Sequence, residues 1–130
     1  MKQPISNSLQ QSFQKIKLCP DAYQIYFHIG HTFLSLGETQ KAFKACLKGI
    51  EYGGDGRDDI LYWANLMYNS GLLLEAGDLY RLVLSHSSTD PEICCKLATC
   101  LRSIGEVKEA QALEAIALAM AQTHSSFGSI

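Results

Sequence analysis

Charge is scarce in this chain. Asp, Glu, Lys and Arg make up 18% of its 130 residues and leave a net charge of −2. Binding a nucleic-acid backbone takes a surplus of clustered cations, so the composition argues against nucleic acid as the main partner. Long apolar runs are missing as well. No stretch approaches the ~20 residues a bilayer-spanning helix needs, so no membrane span is expected. The first twelve residues are polar and no apolar run follows Lys2, which argues against a secretory leader. The five cysteines are an odd number and form no Cys-x-x-Cys. Reduced thiols in a cytoplasmic setting, serving as small buried filler, fit best.

Fingerprints of chemistry are absent too. There is no nucleophile with an obvious base, no pair of buried carboxylates and no cofactor motif, so neither an enzyme nor a cofactor is expected. Gly53-Gly54-Asp55-Gly56-Arg57 lacks the Gly-Lys-Ser/Thr ending of a phosphate loop and reads as a turn. Asp55, Asp58 and Asp59 do not fit a calcium loop, and the last two suit the positive end of a helix. His28 and His31 stand three apart on one helix, but no third ligand at suitable spacing joins them, so no metal site is expected.

What is present is a repeat. Gly37 and Ala42, Gly71 and Ala76, and Gly105 and Ala110 each bracket four residues, and each copy begins 34 residues after the last. A glycine after a helical stretch can take the left-handed conformation that ends a helix. An alanine in the first turns of the next helix lets two backbones approach. The pattern predicts three tight helical hairpins. The helices are expected at about 22–36 and 38–52, then 58–70 and 73–86, then 91–103 and 106–122. Asp21 is the expected cap of the first, and Asp90 followed by Pro91 of the fifth. The second helix should bury Ala42, Phe43, Cys46, Leu47 and Ile50. Ile5, Leu9, Phe13 and Ile16 recur at helical spacing and predict a leading helix from about Pro4 to Leu18. Hydrophobic residues at 47% supply a core, and the low charge leaves apolar surface for a partner.

The period and its residues resemble the tetratricopeptide repeat, a helix–turn–helix of 34 residues with the pattern W-x2-L-G-x2-Y…A-x3-F…P. The first copy offers Tyr26, Ile29, Gly30, Phe33, Ala42 and Cys46. The second offers Ile60, Trp63, Ala64, Met67, Ala76 and Tyr80, and the third Cys94, Leu97, Ala98, Leu101 and Ala110. The leading Trp is absent from all three copies. Gly54, Ser88 and Gln122 replace the closing Pro, and Glu114 stands where an aromatic is usual. The resemblance implies an all-α, right-handed superhelix, or α-solenoid, of about seven helices. Its parts would be residues 1–22 as a half repeat or capping helix, repeats at 23–56, 57–90 and 91–124, and a flexible tail at 125–130.

The resemblance also implies a concave face lined by the first helix of each pair. From the first repeat it takes Gln24, Phe27, His28, His31 and Leu34. From the second it takes Leu61, Tyr62, Asn65, Tyr68 and Asn69, and from the third Cys95, Lys96, Thr99, Arg102 and Ser103. Such a groove suits an apolar peptide or amphipathic helix. One variant of the family clamps a C-terminal carboxylate. Asn65 and Lys96 match it, but Phe27, His31 and Glu92 do not, and Glu92 would repel the carboxylate. In the last helix Val107, Ala110, Leu113, Ile116, Ala117 and Met120 form an apolar stripe. Either its polar face caps the array, or this end meets a second subunit, as a dimer, or a different protein in a hetero-complex. In size, charge and repeat count the chain resembles the small cytoplasmic chaperones of bacterial type III secretion. The alternative is a stable adaptor that uses its convex or C-terminal surface.

Overall fold

The computed structural model describes residues 22–86 and 90–128, with side chains as far as Gln122. Among them are six helices and no strand: α1 Tyr23–Ser35, α2 Thr39–Glu51, α3 Arg57–Asn69, α4 Leu73–His86, α5 Pro91–Ser103 and α6 Val107–Gly128. The leading helix expected near Pro4–Leu18, and Asp21 as a cap, lie outside the described residues. The N-cap position of α1 is Ala22, which makes no side-chain capping bond.

The three repeat glycines all have the predicted conformation, with φ of 78° at Gly37, 84° at Gly71 and 86° at Gly105. The bonds around them are the same each time. The amides of Glu38, Leu72 and Glu106 donate to the carbonyls of Phe33, Met67 and Leu101, each at 2.9 Å. The glycine amides donate to Leu34, Tyr68 and Arg102 at 3.0, 3.1 and 3.1 Å. This is a Schellman closure, which satisfies carbonyls that a helix end leaves bare. The alanine completes the motif. The amides of Ala42, Ala76 and Ala110 donate to Glu38, Leu72 and Glu106 at 3.0, 2.8 and 3.1 Å, opening the next helix, and all three methyls are fully buried.

The described residues divide into two compact units, the first ending at Asp59 and the second beginning at Ile60. In the first, the α1–α2 hairpin is closed by aromatic rings. The Phe27 ring occupies a notch over Gly49 and Gly54, where an added Cβ would stand 2.4 and 2.5 Å from it. Tyr26 stacks on Tyr52 with ring centroids 5.3 Å apart and planes 11° from parallel. Gly53, with φ 117°, ends α2, and the Gly54 amide donates to the Gly49 carbonyl at 2.8 Å. Ala42, Ala45, Cys46 and Gly49 form the buried side of α2. Leu47 was expected among them but is 41% exposed. It sits about 100° around the helix from Cys46, off the buried stripe.

In the second unit the apolar side chains of α3, α4 and α5 supply the core: Ile60, Trp63 and Met67, then Leu79, Tyr80 and Val83, then Ile93, Leu97 and Leu101 are all buried. Gly77 lets α4 approach α5 closely, since a Cβ there would lie 3.3 Å from Cys100 Cβ. Asp90 caps α5 as expected, accepting from the Glu92 amide at 2.9 Å with Pro91 in the first turn. The last helix was expected to stop near Gln122 but runs to Gly128. Ser and Thr lower helix propensity by only a few tenths of a kcal/mol each, and no Gly or Pro intervenes before the end.

Candidate partner-binding site

Each unit presents its share of the expected groove residues. In the first unit, Gln24, His28 and His31 are exposed on α1 and Leu34 is half-buried. Phe27 is committed to its notch against α2 and belongs to the packing of its own hairpin. Partial burial, and then the charge of His28, hold the His31 imidazole below its ordinary value of 6.5. Among the described residues no group of three His, Cys, Asp or Glu side chains lies close enough to hold a metal ion.

The second unit brings three expected residues together around one that sequence reasoning did not place there. The buried Tyr80 hydroxyl on α4 donates to Asn65 Oδ1 on α3 at 2.5 Å. Lys96 Nζ on α5 donates to the same oxygen at 3.1 Å and lies 5.8 Å from the centroid of the Tyr68 ring. Tyr68 in turn meets Tyr80 edge to face, with centroids 6.1 Å apart. Asn65 therefore joins three helices, and a cation held by an amide and a ring face is fixed in position. Burial pushes the Tyr80 phenol above its ordinary range, so the hydroxyl stays a donor. A signal for this was available. A buried tyrosine seeks a hydrogen-bond partner, and Asn65 faces Tyr80 across the Gly71 turn.

Around that node, Tyr62 is 50% exposed and meets Trp63 edge to face at 5.9 Å. Leu61 is half-buried and Asn69 exposed on α3. On α5, Cys95, Thr99, Arg102 and Ser103 are exposed. Thr99 and Ser103 spend their hydroxyls on the carbonyls of Cys95 and Cys100. Arg102 turns to α6, where Nη2 and Nε bind the Glu114 carboxylate at 2.5 and 3.1 Å. This explains Glu114 in an aromatic place: it closes the hairpin by charge. The expectation of buried cysteines holds for Cys46, Cys94 and Cys100 and fails for Cys95, which is exposed, while Cys19 lies outside the described residues. Burial lifts the Cys46 thiol to about 12 and that of Cys100 to about 11, which keeps both protonated and inert.

Helical hairpins with one turn chemistry at a 34-residue period define a fold of tetratricopeptide type. Solved structures agree. Twenty-five chains match, among them the crystal structure of MamA, with a TM-score of 0.62 and 15% identity over 94% of this chain and 71% of that one. At that identity the likeness is one of fold. No protein-family model matches the sequence, and no curated protein does. Among the described residues no helix is long and apolar enough to cross a membrane.

Proposed function

We propose that the chain is a non-catalytic protein-binding module that holds an apolar peptide or amphipathic helix of another protein on the face of α3 and α5. The observation that carries this reading is the half-exposed ring of Tyr62 close in sequence to a node, Asn65–Tyr80–Lys96, that fixes polar groups in place. Rigid aromatic anchors beside preset hydrogen-bonding groups are what peptide recognition uses. Small size, low charge and exposed apolar groups favour a finer reading, a cytoplasmic chaperone like those of type III secretion that keeps an export substrate soluble.

The test is co-expression with a candidate client. The client should be soluble only with this chain. Tyr62→Ala, which leaves the core intact, should weaken binding by about 1–3 kcal/mol. Unchanged affinity removes this face from the reading.

A second reading is favoured by a separate observation. An apolar groove lies between α5 and α6, and Leu118 on its wall is 61% exposed. Here the C-terminal face meets a second subunit or another protein, as an adaptor would.

A further inference from the structure

The groove between α5 and α6 has a volume of about 410 Å³ and is lined by Pro91, Glu92, Cys95, Glu114, Ala117, Leu118 and Ala121. Its surface is almost wholly apolar, and its size falls within the ~300–1,000 Å³ of ligand clefts. Its two charged residues are both acidic. Glu114 is engaged by Arg102, while Glu92 has no basic partner among the described residues. The groove therefore asks for an apolar stripe flanked by cations.

One segment of this chain has that chemistry. Residues 1–20 contain Lys2, Lys15 and Lys17 and no acidic residue, which leaves eight basic residues against 13 acidic ones in the remainder. At 100° per residue, Ile5, Leu9, Phe13 and Ile16 fall on one helical face, and Lys15 and Lys17 fall on either side of it. We infer that the α5–α6 groove takes residues 4–18 of a second copy of this chain as an amphipathic helix. The inference rests on the second reading above and names the occupant. The contact is head-to-tail, so copies add in a row until a ring closes or the concentration limits growth.

The test uses the full chain in sedimentation velocity across the micromolar range, with a labelled peptide of residues 1–20 in fluorescence anisotropy. The mass should rise with concentration, and the peptide should bind and break the assemblies. Leu118→Glu, at an exposed position, should weaken both by at least about tenfold with an unchanged circular dichroism spectrum. Leu9→Glu with Phe13→Glu in the full chain should stop assembly, and the same changes in the peptide should stop its binding. Glu92→Lys should weaken both by about two- to fivefold. A chain that stays monomeric and does not bind the peptide overturns the proposal. If Leu118→Glu then still abolishes capture of a co-expressed client, only the occupant is wrong. If it changes nothing, the reading of this face falls as well. A monomeric chain that binds the peptide only after Leu9→Glu with Phe13→Glu overturns the second copy as occupant, because the chain's own segment then fills the groove.

Discussion

In the α1–α2 hairpin the two helices are held together by rings: Phe27 over Gly49 and Gly54, and Tyr26 on Tyr52. In the α5–α6 hairpin the closure is ionic, with Arg102 forked onto Glu114, and Arg81 of α4 reaches Glu109 of α6 at 2.6 and 3.0 Å. The turns between the paired helices are nevertheless the same to within 0.1 Å in their defining bonds. The turn is a demand of backbone geometry that glycine meets most cheaply, so it recurs. Side-chain closure can be met by several chemistries, so it drifts. Ring closure excludes water and is indifferent to salt. Exposed ion pairs are screened and stabilise modestly.

The largest expected effect tests the ring closure. Alanine for glycine in mid-helix ordinarily gains about 0.5–1 kcal/mol. At Gly49 the new Cβ would stand 2.4 Å from the Phe27 ring and 3.2 Å from the Tyr23 carbonyl oxygen. Overpacking of this kind costs about 1–3 kcal/mol, so Gly49→Ala should lower the urea midpoint despite the better propensity. Phe27→Leu in the same chain should recover part of the loss. A stabilised Gly49→Ala chain would mean that the ring is not seated in that notch.

Gly37→Ala, Gly71→Ala and Gly105→Ala form the next test. At each of these positions a Cβ would meet nothing within 4 Å. The cost is then the left-handed backbone alone, about 1–2 kcal/mol. It should agree among the three within about 0.5 kcal/mol, whatever closes each hairpin. A clear outlier in urea unfolding would show that turn and closure are coupled.

This division marks what the sequence could reveal. Glycines that end helices and alanines that open them are local requirements, and their spacing alone located six helix boundaries to within two residues. Asp90 and Pro91 announced α5 in the same way. The closures were not legible, because they pair residues far apart in sequence. Nothing local says that Phe27 fills a glycine notch, and the family resemblance assigned it instead to an open groove. Glu114 looked like a defect until Arg102 stood beside it. Cys95 and Leu47 show the same limit, since helical period gives a stripe but not how wide the neighbour covers it. Of the groove residues the resemblance implied, Asn65, Tyr68 and Lys96 lie together on α3 and α5. Tyr80, which ties Asn65 down, was read only as core.

The smallest effect is one of pH, and it separates the hairpins by window. His31, though largely exposed, has its folded-state pKa lowered by partial desolvation and then by the charge of His28. The unfolded chain then binds the proton more readily. The stability His31 contributes is present above the ordinary value of 6.5 and is lost as pH falls from there through the lower folded value. Glu114 and Glu109 are held below their ordinary value of 4.5, chiefly by hydrogen bonds from Arg102 and Arg81. Their contribution persists through the histidine window and disappears only as pH falls below that carboxylate value. Amide exchange should therefore quicken in α1 first on mild acidification, and in α5 and α6 only at lower pH. His31→Gln should flatten the first step, and Glu114→Gln with Glu109→Gln the second. A single step shared by both hairpins, unmoved by either set of changes, would show that ring and ionic closures do not confer separate acid responses.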